Sequence, residues 1–253
     1  MTLVLLAFAG LGLSFGSFLN VCIVRLPAGE SIVAPRSKCP RCGTPIAWYD
    51  NIPLLSWLVL RGRCRGCQLP ISVQYPLIEA ATGVIWILSA LLYGLSLRAV
   101  AGGVFGTILL GAAIMDARHE SIPEQYSVAG LVIGLLLGLG SGFDGLQTAV
   151  LGAVAGFVIL YAVERVGDHF FGDGAIGGAH SRMMAMIGAF LGWPGAMLVV
   201  LGAGLLGGVF SAVFALSHRR VVPFGVFLAL AAGAVFVVGD AISVWYLNFL
   251  RAG

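Results

Sequence analysis

Eight apolar runs decide what this chain can fold into. The first, Thr2 to Val24, contains no charged residue. Others follow over about 77–96, 99–115, 127–141, 146–164, 182–193, 195–216 and 224–249. A helix needs about 20 predominantly apolar residues to cross the hydrocarbon core of a bilayer. Composition agrees with lipid as the solvent: 59% of the 253 residues are hydrophobic and only 10% charged, where a soluble domain carries about a quarter charged residues. The sequence therefore predicts an all-α integral membrane protein with about eight transmembrane helices. The division at Trp193-Pro194-Gly195 stays open, because one long kinked helix would read similarly. The first run is too long, and lacks the basic start, for a typical cleaved signal peptide.

Charge gives the orientation. Seven of the 14 basic residues (Arg25, Arg36, Lys38, Arg41, Arg61, Arg63 and Arg65) lie between positions 25 and 65, opposed only by Glu30 and Asp50. Beside a membrane segment such an excess marks the cytoplasmic side; a nucleic-acid partner is not expected. With the 26–76 loop in the cytoplasm and alternating spans, Arg118, Arg165, Arg182, Arg219 and Arg220 also fall inside, and only Arg98 and Arg251 outside. The expected organisation is a first transmembrane helix at 1–25, a cytoplasmic loop at 26–76 and a membrane core at 77–253.

That loop carries Cys39-Pro40-Arg41-Cys42 and Cys64-Arg65-Gly66-Cys67, two pairs separated by 21 residues. Each pair supplies two thiolates from a tight knuckle, and two knuckles can close a tetrahedral zinc site. Two disulfides or four free thiols are the alternatives; a cytoplasmic location disfavours disulfides. Four protein ligands leave no open position for water, so the zinc would be structural, stapling a loop too small to form its own core. Cys22, inside the first span, reads as a packing residue.

Few polar residues remain near the membrane. Asp116 ends the third span, in Met115-Asp116-Ala117-Arg118-His119-Glu120-Ser121-Ile122-Pro123. It could be an interfacial carboxylate paired with Arg118 or a group that does chemistry. Gly177-Gly178-Ala179-His180-Ser181-Arg182 precedes the sixth span on the same face, as a plain connection or a close-approach turn. Glu79 opens the second span, where a helix dipole favours an acid. Asp240, inside the last span, has no evident partner.

Together these residues form a resemblance. Gly16-Ser17-Phe18-Leu19-Asn20-Val21, Arg25-Leu26-Pro27, Glu30-Ser31-Ile32-Val33, Trp48-Tyr49-Asp50-Asn51-Ile52-Pro53, Arg61-Gly62-Arg63, Pro70-Ile71-Ser72 and Tyr75-Pro76-Leu77-Ile78-Glu79 surround the cysteine pairs. With those pairs they resemble the N-terminal half of type IV prepilin peptidases. Asp116-x-Arg118-His119-x-x-Ile122-Pro123 resembles that family's first catalytic aspartate motif, and Met184 to Trp193 and Pro223 to Leu228 its later helices. The resemblance implies a multi-pass aspartyl protease of the bacterial inner membrane that removes the leader of type IV prepilins or pseudopilins at the cytoplasmic face. It implies N-methylation of the new N-terminus from S-adenosylmethionine, and service to type IV pilus or type II secretion assembly. The cysteine loop and Glu79 are candidate contacts for that methyl donor.

One departure from the family pattern is serious. The second catalytic aspartate of the family lies in Gly-x-Gly-Asp-x-Lys before the sixth helix, and aligning through Met184 to Trp193 puts Ala179 at the second glycine, His180 at the aspartate and Arg182 at the lysine. An aspartyl protease uses two carboxylates sharing a proton, whereas a histidine beside Asp116 favours an imidazolium–carboxylate pair. Cleavage is therefore expected to be impaired. The chain could be a catalytically inactive prepilin-binding or assembly protein; Asp168 or Asp173 could stand in as the second acid; or His180 could act as a base oriented by Asp116. A transporter is disfavoured because the charges cluster at one face.

Overall fold

The computed structural model describes residues 1–171, 178–215 and 223–252. Asp173, Gly177, Arg219, Arg220 and the side chain of Asp240 lie outside the described residues. The helices are α1 (Thr2–Arg25), α2 (Leu55–Val59), α3 (Gln74–Tyr93), α4 (Leu97–His119), α5 (Glu124–Gly140), α6 (Phe143–Phe171), α7 (Ala179–Ala215) and α8 (Phe224–Ala252), with a 3-10 turn at Trp48–Asn51. The only strand-like pairings among the described residues are two isolated bridges, Lys38 with Pro45 and Arg63 with Pro70. The all-helical expectation holds. Helices α1, α3, α4, α6 and α7 are long and apolar enough to cross a membrane, and α5 and the Phe224–Gly239 part of α8 are shorter apolar helices.

Two compact units emerge, Met1–Gly111 and Ala112–Gly253. In the first, α1 lies on α3 through glycines. A Cβ at Gly12 would come within 2.9 Å of Gly83 Cα and Trp86 Cβ, and one at Gly16 would overlap the Thr82 hydroxyl. This four-residue glycine spacing lets two helix backbones approach where lipid supplies no hydrophobic drive. Asn20 Nδ2 donates to the Tyr75 carbonyl at 3.1 Å, adding a polar clasp to the same seam. Trp86, fully buried, donates through Nε1 to Thr107 Oγ1 at 3.0 Å and so fastens the middle of α4.

In the second unit the structure resolves the open division at Trp193. Gly192 has φ 68 and ψ 177 inside α7, a conformation natural only to glycine. Phe224, at the start of α8, packs edge-on to the His180 ring at 5.6 Å, and a Cβ at Gly207 would meet the same Phe224 ring at 3.8 Å. In one straight helix residues 180 and 207 would stand about 40 Å apart. The two arms of α7 therefore fold back on each other at Gly192, and the runs 182–193 and 195–216 are separate segments. Gly152 and Gly188 bring α6 and the first arm into backbone contact, and Gly156 does the same with the Met184 carbonyl.

Candidate functional site

In the 26–76 loop the two cysteine knuckles are built alike. Cys39 N donates to Thr44 O at 3.0 Å and Gly43 N to Cys39 O at 2.9 Å; Cys64 N donates to Leu69 O at 2.9 Å and Gln68 N to Cys64 O at 2.9 Å. Gly43 (φ 71) and Gln68 (φ 60) take the same left-handed position, and the two bridges close the same hairpins. The facing pairs Cys39–Cys67 and Cys42–Cys64 stand 4.0 Å apart, and all four sulfurs lie within 4.8 Å of one another. A disulfide needs about 2.05 Å, so these are four thiols. A tetrahedron of zinc–sulfur bonds of about 2.3 Å has edges of about 3.8 Å, and the four-cysteine set fits such an ion. Hydrogen bonding with the Thr44 side chain, and then with its backbone, pulls the Cys42 thiol down to about 6, toward the thiolate a metal requires. Arg65, within the second knuckle, grips Asp50 through both guanidinium arms at 2.8 and 2.6 Å and lies over Tyr49 at 5.6 Å. This ties the 3-10 turn to the cysteine cluster and holds the Asp50 carboxyl below its usual range.

Glu79 is buried on α3 and accepts a hydrogen bond from Leu54 N at 2.8 Å. It anchors the N-terminal end of α2, which starts from Leu54 at φ 59. That geometry gives Glu79 a structural task of its own, independent of any cofactor.

The second site lies where four helix ends meet in the second unit. Asp116, in the last turn of α4, is not an exposed interfacial acid: its side chain is only 2% accessible. Its Oδ2 accepts the backbone N–H of Gly225 at 2.7 Å. Gly225 sits in the first turn of α8, where N–H groups lack intrahelical partners and the helix dipole favours an anion. Glycine is required there, since a Cβ would stand 2.7 Å from Oδ2. The other carboxylate oxygen, Oδ1, faces His180 Nε2 at 3.5 Å. His180, at the start of α7, is buried and backed by the Phe224 ring. The two residues that the sequence pairs are thus brought together.

A third titratable group joins them. Glu164, on α6 and 3% accessible, accepts the backbone N–H of Ser181 at 3.1 Å and so caps the first turn of α7, beside His180. Sequence reading passes over Glu164 because it closes an otherwise apolar run; a lone acid within a span was the available signal. Asp168, one turn further along α6, pairs with Arg165 at 3.6 Å. Arg182, in the same first turn of α7, holds its Nε buried without a hydrogen-bond partner among the described residues. The site thus offers a fixed carboxylate facing an imidazole, with a second buried acid fastening the helix that carries the imidazole.

Known proteins match over most of the chain. The bacterial peptidase A24 N-terminal domain family matches residues 11–93, and the type IV leader peptidase family residues 103–212. A prepilin leader peptidase/N-methyltransferase from Myxococcus xanthus is 43% identical over 84% of this chain, an alignment that spans 64% of that relative. Those of Aeromonas hydrophila and Neisseria gonorrhoeae are 35% and 34% identical, each over 94% of this chain and over 92% and 91% of the relative. No solved structure matches. The clustered cysteines, the buried Asp116 and His180 sit within the residues that the two family models match, and the chain belongs to the prepilin leader peptidase/N-methyltransferase family.

Proposed function

We propose that the chain is a membrane endopeptidase scaffold acting on type IV prepilins or pseudopilins at the cytoplasmic face of the bacterial inner membrane. It methylates the processed N-terminus from S-adenosylmethionine, and His180 at the second aspartate position impairs leader cleavage. The observation that carries this reading is the Asp116–His180 pair, buried together with Asp116 Oδ1 3.5 Å from His180 Nε2. In a two-acid site one carboxylate takes a proton from water as it attacks the scissile carbonyl, and the other, protonated, delivers its proton to the departing amide nitrogen. Asp116 is held for the first role by Gly225 N–H. An imidazole in that place leaves the site without the second carboxylic acid that the two-acid scheme uses.

Zinc on Cys39, Cys42, Cys64 and Cys67 would hold the 26–76 loop in shape and supply no reacting water, as all four positions around the ion are taken. Methyl transfer would need only an unprotonated amine nitrogen to attack the methyl carbon of the sulfonium: the methyl–sulfur bond breaks, S-adenosylhomocysteine leaves as a neutral thioether, and the amine proton is lost to water. Neither Asp116 nor His180 is required for that step, so methylation survives the substitution. Glu79, on the cysteine-bearing side of the chain, remains the candidate contact for the donor.

The replacement at position 180 favours one rival: a protein that binds prepilin without processing it. Membranes carrying the chain are given a pre-cleaved pilin with methyl-labelled S-adenosylmethionine and, separately, an intact prepilin. The proposal expects label on the pre-cleaved pilin and little cleavage of the intact one. Retained prepilin binding with no label transfer selects the rival.

A further inference from the structure

The 26–76 loop contains an apolar face that a water-exposed loop would not keep. Helix α2 presents Leu55, Leu58 and Val59 at spacings of three and four, hence on one side. They are 59%, 63% and 74% accessible. The opposite side is committed inward: Trp57 donates through Nε1 to Ile71 O at 3.4 Å, and Gly62, at φ +67, lies flat against its indole. The outward face is thus not waiting to be covered by a different packing of the same loop.

Position on the chain says what covers it. Leu54, which starts α2, is tied by its N–H to Glu79 Oε2 at 2.8 Å. Glu79 lies five residues into the apolar helix α3, about 7.5 Å along its axis. The apolar face of α2 is therefore held at the level of the first turns of a membrane-spanning helix. Val73 and Leu77, at the start of that same helix, are also exposed. Arg61 and Arg63 follow directly after α2, and both are exposed. An apolar helix face beside basic residues, fixed at the rim of a transmembrane segment, matches a helix lying in the headgroup layer of an anionic leaflet.

We infer that α2 is an interfacial helix: Leu55, Leu58 and Val59 enter the boundary of the cytoplasmic leaflet, and Arg61 and Arg63 pair with phosphates of anionic lipids. The four-cysteine module is then held at the bilayer surface at three places, through the end of α1, the start of α3 and α2. It does not swing freely on the ends of α1 and α3.

The test uses the full chain in bilayer discs of phosphatidylethanolamine with or without phosphatidylglycerol. The photo-reactive residue p-benzoylphenylalanine is placed at Leu58, at Val59, or at Lys38 on the first knuckle. Lipid adducts several-fold more abundant at 58 and 59 than at 38, and more abundant with phosphatidylglycerol, are expected. Arg61→Gln with Arg63→Gln should remove the phosphatidylglycerol dependence while leaving monodisperse elution unchanged. Adduct yields at 58 and 59 no higher than at 38, or yields indifferent to phosphatidylglycerol, overturn the inference. Crosslinking to added prepilin in place of lipid overturns it equally, and would make the face a substrate groove. None of these readouts depends on peptidase or methyltransferase activity.

Discussion

Gly225→Ala should damage chemistry while sparing the fold. A Cβ at position 225 would stand 2.7 Å from Asp116 Oδ2, 2.8 Å from Cγ and 3.1 Å from Cβ. Ordinary contact begins at 3.4 Å, so the carboxylate must retreat by about 3.4 − 2.7 = 0.7 Å. The same retreat stretches the Gly225 N–H···Oδ2 bond from 2.7 Å to about 3.4 Å, beyond the ordinary range and much weakened. A hydrogen bond to a charged group contributes about 1.5–3 kcal/mol, which corresponds to about 10- to 150-fold in rate. Alanine itself is unstrained there, being a good helix former in a helical segment. The assay is prepilin cleavage in membranes, run in the His180→Asp background so that turnover can be read. Gly233→Ala, on the same helix with nothing within 4 Å, is the control and should leave the rate unchanged. Unaltered cleavage by Gly225→Ala would refute the claim that this N–H positions the carboxylate. An equal loss in the Gly233→Ala control would trace the effect to α8 as a whole.

Three further outcomes follow from the same geometry. Gly16→Ala should lower thermal stability in detergent by about 1–3 kcal/mol, because its Cβ overlaps the Thr82 hydroxyl across the α1–α3 seam; Gly10→Ala, with open space around it, should not. One equivalent of zinc should copurify with the chain, and Cys39→Ser should abolish it and expose the 26–76 loop to protease while the helical far-ultraviolet signal stays. Zinc persisting in Cys39→Ser would refute the four-cysteine site. Glu164→Ala should loosen the first turn of α7 and lower kcat in the His180→Asp background more than it raises KM, with Glu164→Gln, which keeps an acceptor for Ser181 N–H, restoring most of the rate. Equal loss in both variants would mean that the charge, not the cap, matters.

Much of the fold was legible because bilayer thickness sets helix length, and runs such as Thr2–Val24 have no other physical home. The division of α7 was not, since Trp193-Pro194-Gly195 serves a kink or a reversal equally well. Only Phe224, touching His180 and facing Gly207, decides it. The cysteine site was legible from spacing, because two-residue gaps make knuckles; the pairing of Arg65 with Asp50 was not, as an exposed charge can find many partners. In the second site, Asp116 and His180 were identified by family pattern, and their meeting by proximity. Gly225 lies 109 residues from Asp116, and nothing local in Pro223-Phe224-Gly225 says which carboxylate its N–H will hold. The apolar segment around α2 is too short to span a bilayer, so span-length reasoning left it inside a polar loop.

The central proposal is that histidine at position 180, in place of a second carboxylate, is what impairs this chain as a two-acid protease. The most direct measurement is cleavage of a prepilin in membranes by the chain as it stands, by His180→Asp, and by His180→Asp combined with Asp116→Asn. The account predicts weak or absent cleavage by the first, clear cleavage by the second and none by the third. Efficient cleavage by the unaltered chain, or no gain from His180→Asp at equal expression, would contradict it.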